Sequence, residues 1–424
     1  MRNNVRLSGF VRNLVQILKG TVVGQMISVV TLPLLTRLFS TESFAILGLV
    51  NTLCGALGPS AAGRLDVAAA VNDNQSDRDK LSAAAIWFTF IYCLLIWFIY
   101  RSLSTVPYFH HNLEKYIELG FLGPISIFIF ACVQIGRYSA NGRSDFSLLG
   151  ISAIIMAISF LSISILLWML GFHTFGLVAA FLLSQLLVSV FLFIRCNLFA
   201  NLLLTRKHLE LVIKNKSFPI FNATSTLLDG ITIALPFMFL MMHHSTNDIA
   251  IYSVVTRFIA GPLGMIGYAV SQVVLKRTAD NVNANNPTLK NHLRLAIYLS
   301  ISAFGIFILS LLLRLIDSHT MFENILGAEW GNLGIIFIIL APSICVRFVV
   351  SSLSPVFSAC GHNRLAALWK LFCFVCTIIF FYKSAGKMSF EDLLFSFVII
   401  DVVLYLIYFI ASVYAVKFPK KMKV

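Results

Sequence analysis

Runs of apolar residues long enough to cross a bilayer recur from end to end of this chain, and they decide what it can fold into. A helix needs ~20 such residues to span the hydrocarbon. Twelve candidate spans are readable. The first six lie near Gly20–Leu35, Phe44–Ala62, Ser82–Leu103, Ile117–Gly136, Phe146–Leu170 and Phe175–Ile194. The second six lie near Phe218–Met242, Ile249–Val270, Leu293–Leu315, Leu333–Leu353, Leu365–Tyr382 and Phe390–Val416. Composition says the same: 58% of the 424 residues are hydrophobic and 12% are charged, with 38 Phe. Soluble domains sit near about 45–50% apolar and about 25% charged, so lipid must be the solvent for most of this surface. The expected fold is all-α, a polytopic membrane protein. Prolines in or beside the spans (Pro33, Pro59, Pro124, Pro219, Pro236, Pro262, Pro342, Pro355) predict kinked or interrupted helices.

The position of the positive charge predicts the topology. With the N-terminus inside, twenty-four of the 32 Lys and Arg fall on cytoplasmic segments and six on outer ones; Arg257 and Arg347 remain within spans. Both termini are therefore expected in the cytoplasm, with the basic inner face favouring anionic lipid headgroups. The net charge of +14 reports topology, and no nucleic-acid partner is implied. Trp97, Tyr100, Trp168 and Trp330 fall near outer span ends, and Trp369 and Tyr414 near inner ends, as interfacial anchors would. Trp87 sits deeper than that rule prefers.

Several function classes fall away. No G-x-x-x-x-G-K-[ST] loop is present. The basic start (Arg2, Arg6, Arg12, Lys19) feeds an apolar span without a small-residue cleavage site, so the first helix is expected to stay as an anchor. Cys373 and Cys376 form a C-x-x-C inside a Phe/Ile/Val helix with no second ligand pair, which favours core packing over zinc or redox chemistry. His110-His111 and His243-His244 lack carboxylates or cysteines at ligand spacing, so no metal or cofactor is expected. Asp73, Asp77 and Asp79 beside Arg78 and Lys80 read as a solvated loop. The loops are too short for a sizeable catalytic segment, so the chain is expected to move something and not to be an enzyme.

A repeat organises the spans. Ser40-Thr41-Glu42-Ser43-Phe44-Ala45-Ile46-Leu47 after Pro33 corresponds to Ser245-Thr246-Asn247-Asp248-Ile249-Ala250-Ile251-Tyr252 after Pro236, at an offset of 205 residues. Both open the second span of a half. Six spans per half keep the halves in the same orientation, which predicts two lobes related by a parallel pseudo-two-fold axis along the membrane normal. The expected organisation is an N-terminal lobe over 1–200, a basic cytoplasmic connector over 201–217 and a C-terminal lobe over 218–424.

Charge inside the membrane marks candidate function. Asp229 and Arg257, on spans seven and eight, come out at similar depth, as do Arg347 and Asp401 on spans ten and twelve. Two readings stand for them. In one they are structural ion pairs of zero net charge. In the other the arginines face a lumen and bind phosphate or acidic sugar, which the guanidinium fork suits, while the aspartates tune them or exchange ions. Arg37 and Arg64 sit at opposite ends of spans one and two, as snorkelling anchors or as entrance residues for a charged headgroup. Polar residues within spans, among them Gln25, Asn51, Gln134, Gln185, Asn222, Thr224 and Gln272, read first as interhelical hydrogen-bonding groups.

The stretch Phe218-Pro219-Ile220-Phe221, Leu227-Leu228, Pro236, Ile251-Tyr252-Ser253, Arg257, Gly261-Pro262-Leu263 and Ser271-Gln272-Val273 resembles spans seven and eight of bacterial polysaccharide-biosynthesis flippases, which belong to the multidrug/oligosaccharidyl-lipid/polysaccharide exporter superfamily. In the N-terminal half Pro33, Thr36-Arg37-Leu38-Phe39, Ser43-Phe44, Gly63-Arg64-Leu65-Asp66 and Gly176-Leu177-Val178 leading to Gln185 agree. The chain departs from that pattern at Thr41 (often Pro), Ala45 (often Gly) and Leu65-Asp66 (often Tyr-Glu). The resemblance covers roughly the first 290 residues. It implies export of an undecaprenyl-diphosphate-linked oligosaccharide, such as an O-antigen or capsule repeat unit, across the bacterial inner membrane, with Arg257 at the family's arginine position. The candidate substrate-binding residues are Arg257, which the resemblance favours, and Arg347, Arg37 and Arg64, which the charge placement offers. Asp229, Asp401 and Asp66 are the ion-coupling or ion-pair candidates, with a proton or sodium as counter-ion and polysaccharide polymerase and chain-length proteins as partners. The alternatives are a cation-coupled multidrug antiporter of the same superfamily, against which the lack of a mid-membrane acid in the N-terminal spans counts, and a membrane-embedded glycan polymerase or transferase.

Overall fold

The structure is a computed structural model that describes residues 20, 22–72, 74–104, 122–143, 145–283, 289–315 and 318–419. The basic start up to Lys19, Asp73, His110-His111, the first residues of the expected fourth span and the terminal lysines from Lys420 on lie outside the described residues. Every regular element among the described residues is helical.

The helices in chain order are α1 (Val22–Leu38), α2 (Thr41–Ala61), α3 (Leu65–Ala70), α4 (Gln75–Ser104), α5 (Leu122–Gly142), α6 (Phe146–Met169), α7 (Gly176–Arg195), α8 (Arg206–Lys214) and α9 (Thr224–His243). They continue with α10 (Thr246–Val254), α11 (Gly261–Asn283), α12 (Leu289–Leu315), α13 (Ser318–Leu326), α14 (Leu333–Leu353), α15 (Val356–Ala359), α16 (Asn363–Ser384) and α17 (Phe390–Lys417). Ten helical stretches are long and apolar enough to cross a bilayer by themselves. The shorter α1, and α10 running through a π-helical segment into α11, stand where the two remaining expected spans were placed. All twelve expected positions are thus helical.

Local chemistry explains where these helices start and bend. Ser40, Ser245 and Ser389 each hold an extended backbone and accept a hydrogen bond from the amide three residues on, capping α2, α10 and α17. An orphan donor of each first turn is satisfied in this way. Pro59, Pro236 and Pro342 lie inside α2, α9 and α14. Each removes a helical donor and crowds the carbonyl four residues back.

By contacts the described residues form two units. One comprises the residues up to Thr31 and Leu38–Met238; the other comprises Leu32–Arg37 and the residues from Phe239 on. The chain therefore changes unit three times: after Thr31, two residues before Pro33; back again after Arg37, at the end of α1; and after Met238 in α9, two residues after Pro236.

In the first unit α5 packs on α2, α4 and α7, while α6 lies along α7. Its core includes Leu65, Leu81, Ile135, Val188 and Leu192. Small residues let backbones approach closely, as membrane helix packing requires. At Gly230 a Cβ would lie 2.1 Å from the Ala56 carbonyl oxygen of α2. In the second unit α14 is the centre, packed by α11, α12 and α17. An aromatic stack of Phe357, Tyr408 and Trp369 (centroid separations of 4.7 and 3.9 Å) ends at Tyr405, and the Trp369 indole N–H donates to the Leu404 carbonyl. Trp330, expected as an outer interfacial anchor, is instead a core residue at 1% exposure. Exposed Leu, Ile and Phe cover the outward faces of α12, α16 and α17, as a lipid solvent demands.

Candidate functional site

The intramembrane charges do not behave alike. Arg347 on α14 and Asp401 on α17 form a two-pronged ion pair: Nε donates to Oδ2 and Nη2 to Oδ1, both at 2.7 Å. The Ser343 hydroxyl, one turn before Arg347 on the same face, also donates to Asp401 Oδ2. Asp401 is 2% exposed, whereas the Arg347 side chain keeps 31% of its surface. The Tyr405 ring lies 5.3 Å and the Phe397 ring 6.0 Å from the guanidinium carbon. A carboxylate so deeply buried is tolerable only with its lone pairs engaged, and here three donors engage them. Arg347 and Asp401, which the sequence places at similar depth, are thus an ion pair in the structure.

Arg257 stands in a different setting. It lies in the π-helical segment Val255–Ala260 between α10 and α11, half-buried, with its guanidinium carbon 5.6 Å from the Phe258 ring centroid. Pro262 follows it and cannot donate to the Phe258 carbonyl, so a widened turn at this point relieves a defect that an α-helix would carry. The Thr256 hydroxyl bonds back to the Tyr252 and Ser253 carbonyls, satisfying oxygens of the same irregular turn. A second π-helical segment, Phe218–Ala223, opens the seventh span, and Asp229 lies in α9 just beyond it, half-buried beside Gly230. Such segments are rare and occur frequently at functional sites. Asp229 belongs to the first unit and Arg257 to the second.

Arg37 has a local task. Its Nη2 donates to the Asn324 carbonyl and its Nε to the Ile325 carbonyl at 3.3 Å. These are last-turn carbonyls of α13, where a cation complements both the orphan acceptors and the helix dipole. Arg64 holds a left-handed backbone (φ 56°) at the start of α3, and its guanidinium carbon is 5.6 Å from the Tyr138 ring centroid. Gly63 before it is also left-handed (φ 59°), so the Gly-Arg pair makes the sharp corner between α2 and α3. Asp66, in the first turn of α3, is 2% exposed, and its Oδ1 has no hydrogen-bond partner. Burial pushes its carboxyl above the ordinary 3.8, opposed by the Arg64 charge and by the Val67 amide.

Asp79 corrects the expectation of a solvated loop. It accepts from Arg143 Nη2 at 2.7 Å, and the same nitrogen donates to the Cys196 carbonyl at 2.5 Å, joining the ends of α4, α5 and α7. The eight cysteines are free thiols. Among the described residues no three His, Cys, Asp or Glu side chains gather at metal-binding distance. Ser343, Tyr405, Phe258 and Tyr138 complete these settings and were not singled out from the sequence. Ser343 and Arg347 at i and i+4 were the one available signal, since the others depend on which helices meet.

No protein-family model matches the sequence, and no curated protein matches it. Solved structures do. The chain is similar to the lipid II flippase MurJ in an inward closed conformation, with 15% identity and a TM-score of 0.68 over 95% of this chain and 87% of that one. It is similar to a multidrug-resistance MATE-family transporter of the MOP superfamily in its inward-facing conformation (14%, TM-score 0.63) and in its outward-facing conformation (15%, TM-score 0.63), each over 96% of both chains. At such identities the likeness establishes the fold. The chain is an all-α polytopic membrane protein with the fold shared by MATE transporters and MurJ.

Proposed function

We propose that this chain is a non-enzymic flippase of the bacterial inner membrane. It moves an undecaprenyl-diphosphate-linked oligosaccharide from the inner to the outer leaflet by alternating access, with lobes 1–200 and 218–424 joined by the connector 201–217 and both termini in the cytoplasm. The observation that carries the reading is Arg257 in the π-helical break of the eighth span. An arginine held at mid-span within irregular backbone is costly to keep and is fit to receive diphosphate oxygens. Moving such a headgroup through bare hydrocarbon would cost on the order of 20 kcal/mol per buried charge by idealised estimates. A cation beside a wet path lowers that barrier, and the isoprenoid tail stays in the bilayer. An inside-negative potential assists export of an anion by at most ~2.3 kcal/mol per charge per 100 mV. Asp229 is the nearest candidate in sequence for a proton or sodium counter-ion. Polysaccharide polymerase and chain-length proteins would receive the product.

Arg347 is the weaker binding candidate, because the Asp401 carboxylate already engages it at both oxygens. Arg37 and Arg64 serve as entrance residues only if they leave α13 and Tyr138. A second reading, a cation-coupled multidrug antiporter, draws support from the MATE-family likeness.

Deletion of the gene and complementation separates the two. The flippase predicts that lipid-linked repeat units accumulate on the cytoplasmic leaflet of the deletion strain and that Arg257→Gln fails to clear them. Normal distribution of lipid-linked glycan in the deletion strain, together with new drug sensitivity, would overturn it in favour of the antiporter.

A further inference from the structure

Between α7 and the seventh span the chain does something that neither span requires. Leu198–Asn201 forms a 3-10 turn and Arg206–Lys214 forms α8. The Thr205 amide starts α8 by donating to His208 Nδ1 at 3.1 Å. His208, Leu211 and Val212 face inward against the core containing Leu81 and Ala84 of α4. A second apolar face stays uncovered: Leu209 and Ile213, one turn apart, are exposed, and so are Leu203 (86%) and Leu204 just before the helix. Arg206, Lys207, Lys214 and Lys216 are exposed along the same segment, with Glu210 their one acidic neighbour on α8.

Trp87 ties the connector to α4. Its indole N–H donates to the Leu202 carbonyl at 2.8 Å. Trp87 is itself exposed beside the connector, a setting that suits the aromatic residue of an interfacial element.

We propose that the segment from Leu198 to Lys216 is a membrane-surface element that docks on anionic phospholipid, with Leu203, Leu204, Leu209 and Ile213 in the acyl boundary and Arg206, Lys207, Lys214 and Lys216 on lipid phosphates. Exposed leucines beside exposed cations fit that occupant and no dry protein interface, because desolvating four cations against an uncharged partner is costly whereas an anionic leaflet attracts each of them. The inference goes beyond cargo transport and is tested without it.

The test is hydrogen exchange of the full-length protein in nanodiscs. Amides of 202–216 should exchange at least about threefold more slowly in phosphatidylcholine containing a quarter phosphatidylglycerol than in phosphatidylcholine alone. The triple variant Arg206→Gln, Lys207→Gln, Lys214→Gln should lose that difference and keep the phosphatidylcholine rate. Leu203→Ser with Leu204→Ser should speed exchange in both lipids while α14 amides, in the other unit, stay as protected as before. Equal rates for the unaltered protein in the two lipids would overturn the proposal and leave the surface to a protein partner. Equal slowing in detergent by inorganic phosphate would overturn it in favour of a simple anion site.

Discussion

Asp401 divides two oxygens among three donors, and that arrangement sets what substitution does. Removing Arg347 leaves a buried carboxylate with only the Ser343 hydroxyl, so Arg347→Gln is expected to destabilise the protein by about 3 kcal/mol. Asp401→Asn should cost a similar amount, and Arg347→Leu with Asp401→Leu should recover much of it, since paired removal strands no charge. Thermal unfolding of the four proteins in detergent checks this; a double variant as unstable as the sum of the singles would refute it. Asp66 poses the opposite problem, a buried carboxyl with an unengaged oxygen. Its folded value is raised, so the folded state holds the proton more tightly than the unfolded chain does. Stability contributed by the protonated form is complete below the ordinary 3.8 and falls as pH rises above it. Asp66→Asn should therefore melt with the parent near pH 4 and above it by a growing margin towards pH 7. A deficit for the asparagine variant at neutral pH would mean that the charge itself is needed. Pairing by depth was legible in the sequence for Arg347 and Asp401, because two helices of known span place residues on a common scale. Asp66 was legible only as a motif position, because its burial comes from α4 and α5, which no local pattern names.

At the scale of elements, span existence was readable because a dozen apolar runs leave little choice. The interruptions were not. Gly261-Pro262 and Pro219 announced irregularity, but a π-helical turn differs from a kink only in how the freed carbonyls find donors. The serine caps carry a further lesson. The two that revealed the internal repeat, Ser40 and Ser245, are joined by Ser389 with the same geometry at a turn the repeat does not relate to them. Their likeness therefore reports shared turn chemistry first and ancestry second. Gly230 gives a prediction whose sign separates packing from propensity. On an exposed helix Gly→Ala gains about 1 kcal/mol. Here the new methyl would meet the Ala56 carbonyl oxygen at 2.1 Å, so Gly230→Ala should lose about 2 kcal/mol or more, read as a lowered melting temperature. An unchanged or raised value would show that α2 and α9 yield at no cost.

At the scale of the molecule, charge and apolar patterning made the class evident, while the grouping of helices into units was less so. Sequence halves end in the connector, yet by contacts the first unit retains most of α9 and gives up the last turns of α1. Which unit a helix end joins depends on partners far away in sequence, such as the backbone carbonyls of α13 that accept from Arg37. Two of the three crossings, after Thr31 and after Met238, each lie two residues from a proline, and that has a consequence. Pro33 and Pro236 leave the carbonyls of Val29 and Thr232 without their usual helical donors. The rods shared between units are therefore softest where they are shared, like a shaft cut at its coupling. Each of the two helices can bend at that point without breaking the hydrogen bonds of the turns on either side.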